Sequence, residues 1–195
     1  MLYGLVLAGG ESRRMGAPKS LISYHGMPQY RHAATLLGAY CSKIFVSCQP
    51  GWEERFGDLA PIPDREPFRG SGPIGGLLSA ISVVADAEAW CLLGCDYPLL
   101  EISDLEMLLE QRDKEGIATV FANMETSKPE PLIGIYEKIS FPLLNDWFFQ
   151  GNQSLRLFLE HHGARLAACS NPRHLLSADT PDKAAEAMLI CQKQV

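Results

Sequence analysis

The stretch Leu2-Tyr3-Gly4-Leu5-Val6-Leu7 runs straight into Ala8-Gly9-Gly10-Glu11-Ser12-Arg13-Arg14-Met15-Gly16-Ala17-Pro18-Lys19. An apolar run that empties into glycines, a hydroxyl and three cations reads as a first β-strand followed by an anion-binding loop. Glycines let main-chain N–H groups approach an anion, while Arg and Lys neutralise its charge. Two well-known phosphate loops do not fit. A Walker loop needs its lysine directly after the second glycine, whereas Lys19 lies beyond Gly16. The dinucleotide fingerprint GxGxxG is also absent from the end of this strand. What remains is a triphosphate cradle of another kind, with Gly9, Gly10 and Ser12 on the phosphates and Arg14 and Lys19 discharging them.

Outward from this loop, apolar runs of strand length alternate with segments of helical period. That is the pattern of a mostly parallel, twisted α/β sheet with helices on both faces. Strands are expected at Leu2–Leu7, Lys43–Ser47, Ala60–Ile62, Trp90–Gly94, Ile117–Ala122, Leu132–Tyr136, Arg165–Ala168 and, briefly, Leu175–Ser177. Helices are expected at Gln29–Ala39, Ile74–Val84, Asp104–Lys114, Ile139–Gln150, Gln153–His161 and Pro181–Cys191, with Ser103 capping the third and Thr180 the last. In such a sheet ligands bind beyond the carboxyl ends of the strands, so the loops after the first, third and fourth strands should converge on a site.

The 195 residues carry 17 Lys and Arg against 23 Asp and Glu, a net charge of -6. Bulk electrostatics therefore excludes nucleic acid as a partner and confines any polyphosphate chemistry to a local cluster of cations. The six cysteines form no CxxC pair and read as reduced, structural thiols. With no apolar run near twenty residues and no room for a leader before the first strand, the expectation is a cytoplasmic protein without a membrane partner. The five histidines show no metal-ligand spacing, and Trp147-Phe148-Phe149 reads as core or as a subunit contact.

Two further loops carry chemistry. Leu92-Leu93-Gly94-Cys95-Asp96-Tyr97-Pro98 delivers a carboxylate at a strand's end, where it either caps a turn or holds Mg2+, which takes one or two carboxylates plus substrate phosphates. Gly70-Ser71-Gly72-Pro73-Ile74-Gly75-Gly76 opens a helix with Pro73. The glycines flanking that start, Gly72 among them, would let a base or ribose sit close to the backbone, and because each helical glycine costs roughly 1 kcal/mol relative to alanine, Gly75 and Gly76 suggest either such a close approach or tight helix packing on the sheet.

The first loop resembles the LxGGxSxRMGxxK signature of the sugar-nucleotide and cofactor nucleotidyltransferases. With the GPxxGL loop, the CDxP strand end, Glu130-Pro131-Leu132, Gly151-Asn152-Gln153-Ser154 and Asp179-Thr180-Pro181, the whole chain is similar to the molybdenum cofactor guanylyltransferases of the MobA type. The resemblance implies a three-layer Rossmann-like nucleotidyltransferase fold, with residues 1–195 as a single domain. It implies transfer of GMP from GTP to molybdopterin cofactor with Mg2+, and contact with molybdoenzymes that deliver or accept the cofactor. Its nucleotide contacts fall on Leu7, Ala8, Gly9, Lys19, Asp64 and Asp96, with Asp96 also holding the metal. Three departures bear on this. Ser47-Cys48-Gln49 stands where the family commonly has Asn, so Ser47 is expected to take that contact. Pro18 precedes Lys19 as in cytidylyltransferases. Ser177-Ala178-Asp179-Thr180-Pro181 stands where the family has an Asn-x-Asn-Thr-Pro pattern, so Asp179 is either a second metal ligand or a helix cap. Cytidylyl transfer and a catalytically silent nucleotide-binding regulatory module are the alternatives.

Overall fold

The computed structural model describes residues 1–10, 18–123 and 126–193. Ser12 and Arg14, two of the expected cradle residues, lie outside the described residues. Seven strands form one sheet: β1 Leu2–Leu7, β2 Ile44–Cys48, β3 Ala60–Pro63, β4 Ala89–Gly94, β5 Ala118–Ala122, β6 Pro129–Glu137 and β7 Arg165–Ala167. Their order is β3-β2-β1-β4-β6-β5-β7. Leu7 pairs with Ser47 on one side and Gly94 on the other in parallel register, while β6 alone runs against its neighbours. The chain thus winds outward from β1 to β3, then crosses back to lay β4 beside β1. The joint between β1 and β4 is where strand order reverses, which is where open α/β sheets bind ligands.

Helices cover both faces because the strands are apolar on both. Every residue of β4 is buried, as expected of a central parallel strand. One face packs Val6, Val46, Leu93 and Ile133 under α1 (Gln29–Gly38) and α3 (Ile102–Glu110). The other packs Leu5, Trp90, Leu92 and Tyr136 under α2 (Pro73–Val83), α4 (Ser140–Phe149) and α5 (Leu155–His162). The last helix, α6 (Pro181–Lys193), sets Ala184, Ala187 and Cys191 against Tyr24 and Leu99 in a small third cluster at the carboxyl edge. All six cysteines are free, and five are buried. No helix among the described residues is long and apolar enough to cross a membrane.

Two expectations are corrected. Leu175–Ser177 is not a strand: Pro172–Leu175 is a 3-10 turn, Leu176 N–H closes it on the Arg173 carbonyl at 3.1 Å, and Ala178 N–H bonds the Asp96 carbonyl at 2.7 Å instead of a sheet neighbour. The third helix starts at Ile102, before Ser103, because Asp104 Oδ2 accepts the Glu101 N–H at 2.8 Å and closes the first turn from inside. It also stops at Glu110, where the Gln111 amide turns aside to bond both polar backbone groups of Ala168. Thr180 does cap α6, its Oγ1 accepting the Lys183 N–H at 3.4 Å.

Candidate active site

A cavity of about 780 Å3 opens over the β1–β4 joint, within the usual size of ligand clefts. The ends of β1 and β4 supply Leu7 to Gly10 and Gly94 to Asp96, β2 supplies Ser47 and Gln49, and the end of β3 supplies Asp64. Lys19 Nζ lies 2.8 Å from Asp96 Oδ2, with both side chains largely shielded, so an ammonium is seated on the strand-end carboxylate. Asp179 lines the same end of the cavity. Its carboxylate accepts Lys183 Nζ at 2.9 Å, which, with a smaller contribution from the Lys19 charge, holds its pKa below the usual range. Of the two roles open to Asp179, the capping of α6 belongs to Thr180.

The other end of the cavity is built around Asp64. Burial raises its pKa, opposed by the Ser47 hydroxyl, the Arg69 guanidinium and the Gly70 N–H. Ser47 Oγ donates to Asp64 Oδ1 at 3.5 Å, so Ser47 acts on the cavity partly through this carboxylate. Gly72, at φ 68°, takes a conformation that favours glycine and turns the loop into Pro73 and α2. Gly75 is different. It does not line the cavity, and a Cβ there would sit 2.3 Å from the Phe68 carbonyl oxygen; one at Gly76 would sit 2.3 Å from Ser47 Oγ. Both let α2 press against the loop and the strand ends, the packing alternative of the two open to these glycines.

Of the lining residues that escaped the sequence reading, two bring polar side chains that shape the cavity. Gln49 Nε2 donates to the Gly9 carbonyl at 2.9 Å, tying the cradle to the end of β2. Its signal was its position just past β2, in the Ser47-Cys48-Gln49 stretch that stands where the family commonly has Asn. Arg69 adds a cation at the Asp64 end, and its signal was a basic residue next to Gly70-Ser71-Gly72. Among the described residues no three His, Cys, Asp or Glu side chains gather as a metal centre.

A mostly parallel sheet with a lysine-and-carboxylate cleft at its switch point defines a nucleotidyltransferase architecture. Residues 4–166 match the MobA-like NTP transferase domain, and the chain belongs to that family. It is 33% identical over 189 residues to a probable molybdenum cofactor guanylyltransferase of Trichormus variabilis, covering 94% of this chain and 89% of the relative. A similarly named protein of Bacillus subtilis is 29% identical, with 91% and 90% covered. The chain is 35% identical to a molybdenum cofactor biosynthesis bifunctional protein of Synechocystis over 73% of its own length, and spans 41% of that protein. The fold is that of molybdopterin-guanine dinucleotide biosynthesis protein A from Archaeoglobus fulgidus, with a TM-score of 0.80 at 21% identity over 98% and 99% of the two chains. A nucleotidyl transferase from Methanothermobacter gives 0.79 at 17%, covering 100% and 99%.

Proposed function

We propose that this chain is a molybdenum cofactor guanylyltransferase, carrying GMP from GTP to molybdopterin cofactor and releasing pyrophosphate, with residues 1–195 as one cytoplasmic catalytic unit. The observation that carries the reading is the Lys19–Asp96 pair at the β1–β4 joint, in a chain that matches probable guanylyltransferases over nearly its whole length. A phosphate monoester has its second pKa near ~6, so the acceptor is already an anion at neutral pH and needs no strong base. One of its oxygens attacks the α-phosphorus, the bond to the bridging oxygen breaks, and pyrophosphate leaves with that electron pair. No proton has to move. Lys19 then neutralises the leaving group, the Gly9 and Gly10 backbone supports the triphosphate, and Asp64 with Ser47 orients the nucleoside. Arg14 and Ser12 complete the cradle on sequence grounds.

The donor set fits Mg2+: the Asp96 carboxylate at the cavity, already holding a cation in the form of the Lys19 ammonium, leaves coordination places for phosphates and water. Asp96 would hold the ion, with Asp179 as the second carboxylate. When bound, Mg2+ offsets charge on the phosphates. The partners are small molecules, with a molybdoenzyme as the protein that delivers or accepts the cofactor. Pyrophosphate release measured across GTP, CTP, ATP and UTP, with and without molybdopterin cofactor, is expected only with GTP plus cofactor. Release with CTP would move the protein to the cytidylyltransferases, and stoichiometric GTP binding without release would make it a silent module.

A further inference from the structure

The turn that carries Asp96 is tied to three separate parts of the chain. Ala178 N–H donates to the Asp96 carbonyl at 2.7 Å. A ring nitrogen of His25 lies 2.7 Å from the Pro98 carbonyl oxygen. Between these, the Tyr97 hydroxyl donates to Glu130 Oε1 at 2.6 Å. The first two hold backbone, as loops are usually held. The third is a side-chain bond inside the protein, with Tyr97 only 3% and Glu130 7% exposed.

A carboxylate is an expensive residue to bury, and an apolar side chain at position 130 would pack under Tyr97 at lower cost. What a carboxylate adds is direction and strength. A phenol on a charged oxygen makes a bond of 2.5–2.7 Å that is roughly twice as strong as a neutral one, and the observed length falls in that range. The bond acts at a sensitive place. Tyr97 directly follows Asp96, and its ring edge lies against Gly94 at the end of β4. Glu130 reaches it because β6 is the reversed strand, which brings its beginning to the cavity edge of the sheet. The aromatic ring is thereby locked inward while the neighbouring carboxylate lines the cavity.

We propose that Glu130, acting through the Tyr97 hydroxyl, is a positioning residue for nucleotidyl transfer that holds the Asp96 carboxylate toward the bound nucleotide and its divalent cation. This rests on the reading of Asp96 as the residue that holds that cation. Mutating a residue that orients a metal ligand typically costs 10–100-fold in metal affinity. The test titrates Mn2+ into the GTP-loaded protein, following free Mn2+ by electron paramagnetic resonance, beside the Mg2+ dependence of pyrophosphate release. Tyr97→Phe and Glu130→Ala are expected to weaken Mn2+ binding about tenfold and to raise the half-saturating Mg2+ by a similar factor. The KM for GTP at saturating Mg2+ should stay within about twofold. Glu130→Gln keeps an acceptor oxygen and should recover most of the loss. Tyr3→Phe, which removes a hydroxyl bonded to Asp86 at the far edge of the sheet, should leave the metal dependence unchanged. If Glu130→Ala fails to fold, Tyr97→Phe, lacking a single oxygen, carries the test. Variants that bind Mn2+ like the wild type would overturn the proposal alone. A wild-type protein that binds no Mn2+ with GTP would overturn the reading of Asp96 and this proposal together.

Discussion

Lys19 and Asp96 have opposite charges and opposite duties, and removing either should leave a different trace. Asp96→Asn keeps the shape of the side chain and loses the charge that seats a cation. It should cut turnover by at least about a hundredfold while GTP binding changes far less, since such electrostatic contributions appear mainly in the transition state. Lys19→Ala should weaken GTP binding as well as turnover, because the ammonium meets the triphosphate before and during transfer. Equilibrium GTP binding beside single-turnover rates separates the two; full activity in either variant would remove that residue from the mechanism. His32 offers a test through pH. Its ring stacks on His25 with centroids 3.8 Å apart, and burial, with the neighbouring imidazole, lowers its pKa from 6.5 to about 4. The unfolded chain therefore takes up this proton first, so stability falls as pH drops from about 6.5 toward 4. Urea midpoints should fall less steeply over that window in His32→Gln than in the wild type, and parallel curves would refute the assignment.

Among the elements, α2 depends most on small residues. A methyl at Gly75 would meet the Phe68 carbonyl, a backbone atom that cannot rotate away. Alanine would gain up to about 1 kcal/mol in helix propensity but lose about 1–3 to overpacking, so Gly75→Ala should be destabilising by urea melt. Gly38, near the end of α1 with open space around it, is the comparison where alanine should cost nothing. The strands and most helices were legible because each is a continuous run whose period shows locally: β1 has the bounds read from the sequence, and α2 lies within one residue of them. What stayed hidden depends on partners distant in the chain. Asp104 looked like an ordinary first-turn residue, yet it is wholly buried and bonds His174 Nδ1 at 2.8 Å. No local pattern announces a carboxylate whose partner arrives from beyond β7. Gln49 was similarly opaque, since an amide that ties two loops together looks like any polar loop residue until both loops are in place.

For the whole molecule, the switch point was legible in outline, because the loops after the first, third and fourth expected strands do line one cavity. The order of the strands was not, and neither was the reversal of β6, since hydropathy does not record direction. That arrangement has a consequence in time. β5 and β6 are joined as a hairpin, a local pairing that closes quickly, whereas β1 must wait for β4, with Leu2 meeting Ala89 across a long intervening chain. The cavity straddles this seam of distant partners, so the cleft is expected to form late in folding. In a refolding time course, nucleotide binding should return no earlier than the final spectroscopic phase; binding that returned with an earlier phase would contradict this order. A chain still being assembled would then have no means of capturing its substrate.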